Sequence, residues 1–141
     1  MSDSPAVIDT NVVVSGLLTS SAVSPTARIL DGMIAGRFRF FLSLELLAEY
    51  REVLLRPKIR RRHGLSPAEI DVILTEIAAN AVIVEVEPGG RRTRRQDEHL
   101  RRILAAAPAA RLVTGDRRLA VSVDGEASAQ TPKEFADSLP D

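Results

Sequence analysis

The stretch Ala6-Val7-Ile8-Asp9-Thr10-Asn11 passes from three apolar residues, two of them β-branched, directly into a carboxylate, a hydroxyl and an amide. A short apolar run of this kind reads as a buried strand, here over 5–8, with the polar triplet at its C-terminal end. Far along the chain, Arg111-Leu112-Val113-Thr114-Gly115-Asp116 repeats the form: a strand over 111–113, then a tight turn delivering Asp116. Gly115 in that turn is expected to supply backbone angles that other residues avoid. In open parallel sheets, ligands bind outside the carboxyl ends of the strands. Two strands that each end in an acid therefore predict a parallel sheet and the edge of it where chemistry occurs.

Working outward, helix and strand signals alternate, the pattern of βαβ units. A helix or loop is expected over 12–18. Ser24-Pro25 reads as an N-cap followed by proline at the first helical position. The helix it opens, over 26–35, carries Ile29, Leu30, Met33 and Ile34 at helical spacing, and Gly36 can close it. A second strand is expected over 38–42. Ser43 then caps a helix in which Leu46, Leu47, Tyr50, Val53 and Leu54 recur at helical steps, ending before Pro57. Ser66 and Glu69 form a capping-box signal for another helix, with Ile70, Ile73, Leu74 and Ile77 as its inner stripe. A third strand spans 81–86, stopped by Pro88-Gly89-Gly90, and a helix covers about 97–107. After the 111–113 strand come a helical turn past Asp116, a weak edge strand within 121–129, and a last helix opened by Thr131-Pro132. With 141 residues and no repeat or linker, the expectation is a single α/β domain, 1–141. A chain of that length buries roughly 70% of its unfolded surface, enough for one good core.

Composition narrows the function. Hydrophobic residues make up 45% and aromatics only 4%, so the core is built from Leu, Ile, Val and Ala. Lys and Arg number 19 and Asp and Glu 19, so attraction for an anionic partner must come from local patches. There is no cysteine, which excludes a disulfide framework and a thiolate metal site and suits the reducing cytoplasm. The opening Met1-Ser2-Asp3-Ser4-Pro5 is unlike a signal peptide, and no apolar run approaches the roughly eighteen residues that span a bilayer. A soluble cytoplasmic protein without membrane contact is expected.

Four acidic points stand where apolar segments give way to turns or near helix starts: Asp9, Glu49, Asp97 with Glu98, and Asp116. Each has a structural alternative. Asp9 and Asp116 can cap the helices that follow them, and Asp97 and Glu98 suit a helix N-terminus by its dipole. Glu49 shares a helical face with Glu45, and the apolar residues around it turn that helix toward the core. Thr10 and Asn11 add oxygens beside Asp9. Gathered in one pocket, such carboxylates repel one another, and the arrangement persists most naturally around Mg²⁺ or Mn²⁺. Zinc is disfavoured, because His63 falls in a basic loop and His99 is alone on a helix. No GxxxxGK[ST] or GxGxxG motif occurs, and the histidine settings do not suit a Ser-His-Asp triad.

In this order and spacing, the motifs resemble the PIN-domain family. Val7-Ile8-Asp9-Thr10-Asn11 is similar to its opening motif, and the segment from Glu49 through Val53-Leu54-Leu55-Arg56-Pro57-Lys58 to the helix carrying its second acid. Leu112-Val113-Thr114-Gly115-Asp116 is similar to its closing motif, and Thr131-Pro132-Lys133-Glu134-Phe135 to its C-terminal segment. The likeness covers nearly the whole chain and is closest to the VapC-like toxins of toxin–antitoxin pairs. It implies an α/β/α sandwich on a parallel sheet and a Mg²⁺- or Mn²⁺-dependent endoribonuclease. It also implies Asp9, Glu49 and Asp116 as metal-site acids, with Thr114 and Asn11 in support. A small antitoxin would be the partner, docking on apolar residues left exposed on the helix around 46–55, and a homodimer fits the fold. The family's usual third aspartate falls on Glu98, one methylene longer, with Asp97 just before it. The corresponding alternative is a catalytically weak or inactive RNA-binding module.

Basic residues form two clusters, Arg56, Lys58, Arg60, Arg61 and Arg62, and Arg91, Arg92, Arg94 and Arg95. Both can contact phosphates, and the second, which directly precedes Asp97, is the better placed to guide RNA toward the acids. Few aromatics are available for base stacking, so recognition through backbone and shape is expected.

Overall fold

The computed structural model describes residues 5–85, 98–107, 109–122 and 128–139. Among them, five parallel strands carry the architecture: β1 (Ala6–Ile8), β2 (Phe41–Leu42), β3 (Val82–Ile83), β4 (Arg111–Val113) and β5 (Ser128–Gln130). The helices are α1 (Thr10–Leu18), α2 (Pro25–Ala35), α3 (Leu44–Leu54), α4 (Pro57–His63), α5 (Pro67–Asn80), α6 (Glu98–Ala106), α7 (Arg117–Ser122) and α8 (Pro132–Ser138).

β1 pairs with β4 and β4 with β5, while β2 pairs with β3, all parallel. A parallel bridge from Ala6 to Phe40, with the Ala6 amide 3.0 Å from the Arg39 carbonyl, joins the two ladders. The strand order is therefore 3-2-1-4-5, and the direction of winding reverses between β1 and β4. Crossovers between parallel strands are right-handed, so connections stepping toward β3 and toward β5 lie on opposite faces. This sets α1 to α5 on one face and α6 and α7 on the other, an α/β/α sandwich. The packing agrees: α2 lies against α1, α5 and α8, α1 also meets α3, and α6 touches β1.

The helices begin where their chemistry says they should. Ser24, Ser43, Ser66 and Thr131 each accept a hydrogen bond from the backbone amide three residues on. Ser66 with Glu69 and Thr131 with Glu134 complete capping boxes, and proline fills the first turn of α2, α5 and α8. Gly36 closes α2 in the left-handed conformation that Gly readily adopts. One apolar cluster, with Ile8, Ile29, Phe40, Leu46, Ile70, Leu112 and Phe135 fully buried, fills the interior. In α5, Ile70, Leu74 and Ile77 are buried and Ile73 is half-buried against that cluster.

Several expectations are corrected. The first helix starts at Thr10, not at 12, so Asp9 is its N-cap residue. The basic segment after Pro57 is a helix, α4, and not a loop. His63 ends it structurally: its Nδ1 accepts the Leu65 amide at 2.9 Å, so its Nε2 donates to the Leu54 carbonyl at 2.8 Å. Residues 121 and 122 continue α7, and among the described residues the edge strand is Ser128–Gln130. The β-branched pair Val82 and Ile83 stands at the sheet's edge, 38% and 49% exposed.

Candidate active site

The reversal of strand order between β1 and β4 opens a crevice at their carboxyl ends, and the polar residues read from the two strand motifs stand there. The ladder itself runs on into the site. The Asp9 amide donates to the Val113 carbonyl at 3.0 Å, and the Thr114 amide to the Gln130 carbonyl at 3.0 Å.

Asp9 occupies the N-cap position of α1, yet its side chain makes no capping hydrogen bond. It is only 7% exposed, and its Oδ2 accepts from the Thr114 hydroxyl at 2.7 Å. Thr114, 3% exposed, also accepts the Asp116 amide at 3.0 Å, so its hydroxyl proton is directed at Asp9. Burial pushes the Asp9 carboxyl above its ordinary value, and the Thr114 hydrogen bond opposes this. Negative charge on Glu49 raises it further, the Thr10 backbone lowers it, and Asp116 adds a last upward push. The charges of Glu49 and Asp116 thus both act on Asp9.

Glu49 arrives from α3. The Thr10 hydroxyl donates to its Oε2 in a short hydrogen bond spanning 39 positions of sequence. The next residue, Tyr50, is fully buried and donates its hydroxyl to the Ile8 carbonyl at 2.5 Å, fastening α3 to β1. Burial, then the charges of Asp9 and Glu49, raise the Tyr50 hydroxyl well above its ordinary value, so it remains a donor. Asp116 is exposed, and its Oδ1 caps α7 through the amides of Arg118 at 2.9 Å and Leu119 at 3.3 Å. Here the structural role is real but engages one carboxylate oxygen. Gly115 needs no special backbone: it is not among the glycines with positive φ, and an added Cβ would meet nothing within 4 Å. The expected conformational reason for that glycine is therefore not the one that operates.

Asn11 is exposed on the wall of a groove between α1 and α4, shared with Arg62. Arg56, Lys58, Arg60, Arg61 and Arg62 are exposed on and just before α4. Asp97 and Arg91, Arg92, Arg94 and Arg95 lie outside the described residues, and Glu98 opens α6 with its side chain outside them. Sequence reasoning missed the Thr10 bond to Glu49. The signal was present only as a hydroxyl following Asp9.

The donors offered are carboxylate and hydroxyl oxygens, the chemistry of a hard cation. Among the described residues, there is no group of three or more His, Cys, Asp or Glu that could hold a metal ion. The charges of Glu49 and Asp116 bear on the buried Asp9, and a hard cation would relieve that repulsion.

The helix Leu44–Leu54 leaves little apolar surface: Leu46, Tyr50, Val53 and Leu54 are buried, and Leu44 alone among its leucines is exposed, at 73%. Among the described residues no helix is long and apolar enough to cross a membrane. In comparisons with known proteins, a family model described as PIN domain matches residues 5–118. Comparison with curated proteins gave no match.

Proposed function

This chain belongs to the PIN-domain family, whose members are generally nucleases, and from that premise we propose a Mg²⁺- or Mn²⁺-dependent endoribonuclease acting as the toxin of a toxin–antitoxin pair. The observation that carries the reading is Asp9. A buried carboxylate at a helix N-terminus that leaves the cap unmade, accepts a hydroxyl, and faces Glu49 and Asp116 is costly unless a cation is its partner.

Asp9, Glu49 and Asp116 would hold the ion, with Asp97 or Glu98 completing the set. When bound, the metal would supply an activated water and shield charge on the scissile phosphate. The remaining work falls to the chain's own groups. Thr114 fixes the carboxylate plane of Asp9 from β4, and Thr10 fixes Glu49 from the first turn of α1. Tyr50 holds α3 at the distance that presents Glu49 to the crevice. Arg91, Arg92, Arg94 and Arg95 would draw the RNA backbone toward Asp97. A groove of about 420 Å³ between α3 and α5, where Leu44 and Leu47 stand beside the charged Arg51 and Asp71, is where a protein partner such as an antitoxin would dock. The homodimer belongs to the same reading, as does a single domain working in the cytoplasm.

A second reading, a weak or inactive RNA-binding module, draws support from the described residues, among which no three or more His, Cys, Asp or Glu group to hold a metal ion. One experiment separates them: labelled single-stranded RNA and DNA are incubated with protein in Mg²⁺, Mn²⁺ or EDTA, beside Asp9→Asn and Asp116→Asn. Metal-dependent RNA cleavage, reduced at least about a hundredfold in both variants, is the expected result. Tight RNA binding with no cleavage in either metal would leave the module, and cleavage of DNA alone would overturn the RNA assignment.

A further inference from the structure

Helix α4 carries Lys58, Arg60, Arg61, Arg62 and His63 and no acid, in a chain whose total formal charge is zero. Positive charge is thus concentrated on one short exposed helix. Arg56, just before it, meets Glu52 at 3.7 Å with both side chains largely exposed, a pairing of little energetic weight. The helix sits against α1 and α3, beside the acids and not on a remote face.

Between α1 and α4 lies a groove of about 280 Å³. Val14, Leu18 and Ile59 provide apolar walls, Asn11 an amide, and Arg62 a guanidinium. Asn11 is in the first turn of α1, next to Thr10 and two residues from Asp9, so the groove begins at the end of α1 that carries the site. Its size falls just below the range of about 300–1,000 Å³ for drug-sized ligand sites and suits one nucleotide-sized group.

We propose that this groove seats the nucleotide flanking the scissile phosphate of single-stranded RNA, with α4 tracking the adjoining backbone. The proposal rests on the ribonuclease reading above. Unpaired bases are recognised by stacking on aromatic rings or guanidinium planes and by hydrogen bonds to their edges. The lining contains no aromatic residue, and Phe40, Tyr50 and Phe135 are fully buried, so Arg62 is the stacking plane at hand. Apolar walls accept the faces of a base, and the Asn11 amide offers both a donor and an acceptor to its edge. Arg60 and Arg61 face solvent on the same helix, where a polyanion is the complementary partner.

The test uses a fluorescently labelled oligouridylate, with binding followed by anisotropy in EDTA and cleavage followed in Mg²⁺ or Mn²⁺. Arg62→Ala should weaken binding about tenfold and raise KM more than it lowers kcat. Arg62→Lys, which keeps the charge and loses the plane, should weaken binding about threefold without changing its salt dependence. The double variant Arg60→Ala/Arg61→Ala should flatten the slope of log affinity against log salt by about 1.4, or about 0.7 for each phosphate no longer neutralised. Lys133→Ala, which removes an exposed cation from α8, should match wild type. Wild-type cleavage with every α4 variant binding and cleaving RNA as wild type does would overturn this assignment and give the groove to another occupant, leaving the ribonuclease reading intact. Wild-type protein that neither binds nor cleaves RNA would remove both.

Discussion

At the scale of single residues, Asp9 shows function set against stability. Its carboxyl is raised from 3.8 chiefly by burial, so the folded state holds the proton more tightly than the unfolded chain does. A group with a raised folded value contributes stability that is complete below the unfolded value and is lost as pH rises through the folded one. Asp9→Asn keeps an oxygen for the Thr114 hydroxyl and removes the buried charge. In EDTA at neutral pH it should therefore melt above wild type, by about 2 °C or more, and the gap should close as pH falls toward 4. Thermal melts across that range check it; a variant less stable than wild type at neutral pH would contradict it. Asp9 was legible because an apolar strand ran straight into it. The bonds that aim Asp9 and Glu49 were not, because Thr114 reaches Asp9 across 105 positions and Thr10 reaches Glu49 across 39. Separations of that kind are set by topology and leave no local trace.

At the scale of elements, the strongest local signals were caps. Ser24, Ser66 and Thr131 could be read because a hydroxyl followed by a proline or a spaced glutamate is a short-range device, and Ser43 because it directly precedes an apolar helical stripe. Helix α4 escaped because Ile59 is its only aliphatic residue, which leaves no apolar periodicity to detect, although Arg56-Pro57 carried the same proline signal. The edge strand expected within 121–129 is found at the far end of that window, as β5, because Asp116 caps α7 and the helix takes up Val121. The crossing of α1 and α2 is a packing fact that no pattern reveals. A Cβ at Gly16 would stand 2.5 Å from the Thr26 carbonyl oxygen and 2.9 Å from the Leu30 Cβ. Gly16→Ala should thus force the two helices apart and cost about 1–3 kcal/mol, measured by denaturant unfolding. Gly115→Ala, with open space around it, should stay within about 0.5 kcal/mol of wild type.

At the scale of the whole molecule, the parallel order 3-2-1-4-5 brings together acids from both halves of the chain. The alternation of strands and helices implied a parallel sheet, and the point of reversal emerges only from the pairing of β1 with β4. A cation bound at that point binds the folded state alone and should stabilise it by mass action. At a hundredfold excess over Kd the gain is about 2.7 kcal/mol, several degrees in Tm. Calorimetry with Mg²⁺ or Mn²⁺ should show this for wild type and not for Asp9→Asn; equal shifts in both would place the ion elsewhere.

The clamp between α3 and β1 has an optical consequence. Tyr50 is the sole tyrosine of a chain without tryptophan, so its near-ultraviolet emission originates at one phenol, beside Asp9 and Glu49. Arrival of a cation at those neighbours would register in that unlabelled fluorescence. Under alkaline titration the phenolate band would emerge only as the fold releases the ring.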